Sequence, residues 1–211
     1  MKPRALMLCL LMILAMAAVT AYYYPSVPET IPVHWDAAGK VNGYGGRWQL
    51  WLTGPGTMAC ILLLAVAMPW LSPKKFEVQS SPQTYSYMMV MVVALFGGIE
   101  IIMLCSALGV RLEIARVLPA LTFLALIFIG NPMGKVRRNF FIGIRTPWTL
   151  ASEAVWYATH RLAARLMVGS GLLGLIAVWG GASYWILLVL MGGWALVSAG
   201  YSLLLYKRLP Q

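Results

Sequence analysis

The sequence predicts an all-α polytopic membrane protein: six transmembrane helices, an amphipathic cytoplasmic helix and a small extracytoplasmic cap. Three observations lead there. Residues are 61% hydrophobic and only 10% charged, against roughly 25% charged in soluble domains. Apolar runs recur at lengths that approach or exceed the roughly 18–20 residues needed to cross a bilayer. The basic residues are also shared unevenly among the segments that join those runs. No soluble domain fits between the runs. The parts 1–70 (two spans and the cap at 25–49), 71–130 (two spans) and 131–211 (a polar segment and two spans) therefore make one structural unit.

Lys2 and Arg4 precede the apolar run 5–21. A signal peptide would suit those charges and the Val19-Thr20-Ala21 cleavage pattern, but the run exceeds a usual signal core of roughly 7–15 residues. A retained first span is the expectation. Tyr22, Tyr23 and Tyr24 then form an interfacial aromatic belt, and Pro25 and Pro28 end the helix. Residues 25–49 are polar and rich in turn formers. Val33-His34-Trp35 and Lys40-Val41 are expected to pair around Asp36-Ala37-Ala38-Gly39, with Asn42-Gly43 as a second turn.

The second span is 51–70, with Gly54-Pro55-Gly56 near its start as a point of bending or close helix approach. A short loop, 72–84, carries Pro73, Lys74 and Lys75, and the third span is 85–108. The run 117–130 has 14 uncharged residues. At 1.5 Å per residue it reaches only about 21 Å of a core of about 30 Å, so its helix is expected to begin near Ile114. The fifth span, 166–179, is equally short and is expected to start upstream near Thr149. Gly180-Gly181 turns the chain into a last span at 183–206. Gly169, Gly171 and Gly174 read as helix-packing positions.

The net charge of +10 would suggest nucleic acid in a soluble protein. In this chain it is a topological signal, and no direct contact with nucleic acid is expected. Six spans put both termini on one side. Twelve of the 16 lysines and arginines then fall on the side of the termini, and only Lys40, Arg47, Arg111 and Arg116 on the other. By the positive-inside rule both termini are cytoplasmic in a bacterial plasma membrane. The cap is extracytoplasmic, and the basic flanks meet anionic lipid. Cys9, Cys60 and Cys105 all lie in apolar runs without metal spacing, so neither a disulfide framework nor a metal is expected.

The polar segment 131–165 is the part of the chain most suited to specific recognition. Asn131, Gly134, Asn139 and Gly143 indicate turns, and Arg145-Thr146-Pro147 leads into a helix capped by Thr146 or Thr149. Beyond it, Trp148, Ala151, Val155, Leu162 and Leu166 form an apolar stripe. Glu153, Trp156, Tyr157 and His160 fall on another face. Two readings stay open: a polar pocket with Arg145, Glu153 and His160, or a membrane-surface helix anchored by its aromatics. Glu100, a carboxyl in mid-span, suggests a proton site, a polar guest or an interhelical contact. His34, Trp35 and Asp36 in the cap suit a ligand-facing or turn-stabilising role. With Glu29 as the only other acid nearby, they make a poor metal site. GxSxG, HExxH, Walker A and GxGxxG motifs are all absent, so no enzyme and no cofactor are expected.

The run GNPMGKVRRNFFIGIRTPWTLASEAVWYATHR resembles the signature of the SdpI family of bacterial membrane immunity proteins. Asn131, Gly134, Asn139, Gly143, Ile144, Arg145, Thr146, Pro147, Trp148, Thr149, Glu153, Trp156 and His160 carry the match. IPVHWDAAGKVNGYGG is similar to the short domain usually found upstream in the same proteins, through Pro32, His34, Gly39 and Gly43 or Gly45. The resemblance implies a multi-pass protein that protects its host from a secreted antimicrobial peptide. In the founding type it also implies signalling, by drawing a small transcriptional repressor to the membrane. The competing expectation, motivated by Glu100, is a small-solute or proton-coupled transporter or a membrane enzyme with a polar site in the bundle.

Overall fold

A computed structural model describes residues 1–72 and 81–209. Lys74 and Lys75, which the charge count uses, lie outside the described residues. Among the described residues, six helices are long and apolar enough to cross a membrane. The first is α1 (Pro3–Tyr23). The second span, Gln49–Leu71, is built from α2 (Gln49–Trp51), a π-helical turn (Leu52–Gly56) and α3 (Thr57–Leu71). The others are α4 (Pro82–Ala107), α5 (Ile114–Gly130), α7 (Glu153–Trp179) and α8 (Tyr184–Arg208). A five-residue helix, α6 (Pro147–Ala151), precedes α7. The fourth helix begins at Ile114, as its short apolar run required.

Between α1 and α2 lies the cap, an antiparallel hairpin of β1 (Thr30–Trp35) and β2 (Val41–Gly46). Asp36 closes its turn by accepting at one carboxylate oxygen from the backbone N–H groups of Ala38 and Lys40, each at 2.9 Å. Gly39 takes φ +76° there and sits against the backbone of Ala115 at the start of α5, so the turn rests on that helix end. Asn42-Gly43 is not a second turn. Both residues lie within β2. Asn42 is held across the hairpin by His34 (Nδ1 to Oδ1, 2.5 Å), and Gly43 leaves room for the His34 side chain. Val27, Ile31 and Leu50 bury themselves on Met103, Leu104 and Ala107, which seats the cap on the end of α4.

The helices divide into two groups. Cys9, Met16, Met58, Leu62, Val90 and Val93 form the core among α1, α3 and α4. The other group centres on α5 and α7, the most extensively paired helices. Gly174 admits the ring of Phe123, and Gly171 admits the Phe123 carbonyl and Ile127, so two helices meet where a side chain would hold them apart. Gly169 does not share that role, because the space where its side chain would stand is open. Met1 packs on the same Ala65–Tyr85 cluster as Phe141 and Ile142, while Ser202 of α8 meets Thr146. The start of α1 and the end of α8 therefore lie at the end of the bundle that carries the 131–152 segment.

Candidate functional site

The polar segment folds as a lattice around one buried histidine. Asn139, 3% exposed, spends its whole amide on the local chain. Its Oδ1 accepts from the N–H of Phe141 (2.8 Å) and Ile142 (2.7 Å), and its Nδ2 donates to the carbonyls of Arg137 (2.9 Å) and Ile142 (3.1 Å). This tight turn delivers Gly143, with φ +106°, onto the ring of His160, where a side chain would overlap the imidazole. The next N–H, of Ile144, donates to His160 Nε2 at 3.0 Å. His160 Nδ1 lies 2.8 Å from the carbonyl of Trp156. An N–H can only donate and a carbonyl can only accept, so the imidazole is neutral and carries its proton on Nδ1. Trp156 stacks on the same ring at 4.0 Å, and its indole N–H donates to the carbonyl of Val136 at 2.8 Å. His160 and Trp156 are fully buried.

The second half of the segment is a pair of caps. Thr146 and Thr149 form a reciprocal capping box at the start of α6, with Pro147 in its first turn. The Thr149 hydroxyl also donates to the Ile144 carbonyl at 2.8 Å. Ser152 is extended, which breaks the predicted single amphipathic helix in two, and its hydroxyl caps α7 by accepting from Val155 N–H at 3.4 Å. The buried face of α7 runs through Val155, Trp156, Thr159, His160, Ala163 and Met167. Of the predicted stripe of Trp148, Ala151, Val155, Leu162 and Leu166, Val155 lies on that face, while Trp148 and Ala151 stand before the break at Ser152 and Leu162 and Leu166 flank the face. The Trp148 indole N–H donates to Ser202 Oγ, tying the last span to the lattice. Ser202 carried no sequence signal beyond being a small polar residue in an apolar run.

Of the two open readings, the polar pocket of Arg145, Glu153 and His160 does not form among the described residues. Arg145 is exposed and donates to the Phe140 carbonyl at 2.8 Å. Glu153 faces solvent and meets Arg138 at 3.4 Å, a contact of little energetic weight when so exposed. Asn131 is the exposed C-cap of α5. Glu100 stands apart, against the second span. It is 1% exposed, packs on the bare backbone of Gly54 and accepts from the Thr53 hydroxyl at 3.0 Å. Its other oxygen has no partner among the described residues.

His34, Trp35 and Asp36 do converge on a cavity. It holds about 490 Å³ and lies under the cap turn, between α4, α5 and the start of α8. Its wall is apolar except for those cap residues, Thr122 and Tyr184. Sparse contact between α5 and α8 leaves the space open. A second cavity of about 350 Å³ shares Thr122 with it and extends along the same helices to Gly143 and Ile144 of the lattice. Glu100 lines neither. Sequence reasoning missed this groove because its lining is ordinary span residues, whose convergence appears only in three dimensions.

Residues 135–202 match the SdpI/YfhL protein family. The chain carries the SdpI segment. Residues 11–59 match a domain of unknown function, DUF1648, which covers most of α1, the cap and the start of the second span. Both resemblances read from the sequence therefore hold. The chain is 24% identical over 175 residues to the Immunity protein SdpI of Bacillus subtilis (strain 168), an alignment that covers 81% of this chain and 79% of that protein. No solved structure matches the chain. Within the SdpI segment, the matched positions Asn139, Gly143, Trp148, Trp156 and His160 are the members of the buried lattice. The polar side chains among them bond to the chain itself, and the segment links the ends of α5, α7 and α8.

Proposed function

We propose that this chain is an integral membrane immunity protein that gives its host resistance to a secreted antimicrobial peptide toxin. What supports the reading most is the identity to Immunity protein SdpI running through 81% of the chain. The geometry adds a place for the encounter. The cap overhangs an apolar groove, and the charge asymmetry supports a cap outside the cell with both termini in the cytoplasm. His34, Trp35 and Asp36 would meet the toxin at the mouth of the groove. The protein acts by binding and not by catalysis.

A signalling role through a transcriptional repressor belongs to the same reading. Lys135, Arg137, Arg161 and Arg165 are exposed at the terminal end of the bundle, and such a basic ridge suits an acidic protein surface. The transport alternative finds less support, because Glu100 is shut in against Gly54 and lines neither cavity.

The test is survival of a sensitive bacterium expressing the chain, challenged with a panel of secreted membrane-active peptides. A rise in the inhibitory concentration of at least one peptide is expected, with a smaller rise for Arg145→Ala at equal membrane abundance. Unchanged killing across the panel, with the protein inserted normally, would falsify the reading.

A further inference from the structure

The two cavities meet at Thr122, so they form one strip along α5 from Ile114 to Ile129, about 22 Å at 1.5 Å per residue. That is most of a hydrocarbon core of about 30 Å. The walls are faces of helices: Ile99 and Met103 from α4, Leu118 and Thr122 from α5, Leu188 and Met191 from α8. Their i, i+3 and i+4 spacings make ridges and furrows of the kind a further helix packs into. A peptide at this depth has no water for its backbone polar groups, so it must satisfy them internally, as a helix.

The charge at the mouth narrows the class further. Among the described residues lining the groove, Asp36 is the one side chain with a formal charge, and there is no lysine or arginine. One Asp36 oxygen is committed to the cap turn, but the side chain is exposed and its negative charge remains at the water end of an apolar strip. An anionic lipid headgroup would meet a carboxylate there with no lining base to offset it, while a cationic group would be attracted.

We infer that the groove receives an apolar α-helical segment of a peptide, lying along α5 between α4 and α8, with a positively charged end at Asp36. This rests on the immunity reading and gives the toxin a chemical class: membrane-helical and basic at the end that stays outside.

The experiment uses the full-length protein in nanodiscs of mixed zwitterionic and anionic lipid. The probes are a 20-residue Leu/Ala helix with two lysines at one end and its analogue with two glutamates, each carrying a photoreactive leucine. The lysine-ended helix should cross-link to α5 and α8 and bind about tenfold more tightly than the glutamate-ended one. Asp36→Asn keeps the oxygen that closes the cap turn and removes the charge, so it should abolish that preference. Leu118→Trp, which fills the groove, should weaken both helices while the melting profile stays native. Equal affinity for the two ends, a preference that survives Asp36→Asn, or cross-links outside the groove would overturn the inference. So would a groove held by co-purified lipid that neither peptide displaces. Toxin survival scored in the same variants separates the two ideas. Protection that persists in Asp36→Asn and Leu118→Trp removes the groove inference and leaves immunity standing, whereas a wild-type chain that binds the lysine-ended helix and protects against nothing removes immunity.

Discussion

His160 commits both ring nitrogens and one ring face to the chain around it. It holds Ile144 through Nε2 and Trp156 through Nδ1 while stacking on the Trp156 ring. Removing it leaves the part-buried Ile144 N–H without its acceptor, a loss of about 1–3 kcal/mol. His160→Phe keeps the stack and loses both hydrogen bonds, so it should cost roughly 2 kcal/mol, and His160→Ala, which also leaves a void, roughly 4 kcal/mol. Unfolding of the purified protein in detergent measures both. Equal stability of the two variants would mean that the stack contributes nothing. Asn139→Asp is a matching case: it keeps the two accepted bonds and replaces both donated ones with a carboxylate facing carbonyl oxygens. A loss of about 2 kcal/mol is expected, in the same assay.

Helix contacts give predictions of a different kind. The second span approaches α4 closely only because residue 54 has no side chain, and the Glu100 carboxyl occupies the place where one would be. Gly54→Ala should therefore destabilise by about 1–3 kcal/mol. Gly54→Ala with Glu100→Ala should recover much of that loss, a coupling that a double-mutant cycle measures directly. Additive effects would show that the two residues are not in contact. The end of the last span is tied to the lattice by the Trp148–Ser202 bond. Trp148→Phe should cost about 1 kcal/mol and appear as faster amide exchange confined to the end of α8. The helices themselves were legible in the sequence, because a bilayer imposes length and apolarity on every span, and even the start at Ile114 followed from that length. What was not legible was phase. The break at Ser152 rotates everything after it, and the burial of Trp156 and His160 depends on a loop some twenty residues upstream folding over them. Asn42-Gly43 misled for a similar reason, since a strong turn signal was absorbed into a strand by the demands of His34 opposite.

As a whole molecule, the chain couples a polar cap at one end to a buried polar lattice at the other through helices that leave an apolar strip between them. The motif residues drew attention to the lattice, where their hydrogen bonds and packing go to the surrounding chain. The open chemistry sits under the cap, where His34, Trp35 and Asp36 were picked out from the sequence but Thr122, Tyr184 and Leu188 were not. A lining of aliphatic residues cannot announce itself in a chain where 61% of residues are hydrophobic. The proposed orientation rests on the distribution of basic residues, and cysteine accessibility checks it. A cysteine placed at exposed Ala38 should react with an impermeant thiol reagent in intact cells, and one at exposed Arg161 should not. The reverse labelling pattern would put the cap in the cytoplasm and remove any direct meeting with an external peptide. The most direct measurement is survival of sensitive cells carrying the wild-type chain or Leu118→Trp, inserted to the same level and challenged with the same secreted peptide. Protection by the wild type and its loss when the groove is filled is the predicted result. Equal protection by both would contradict a toxin site beneath the cap.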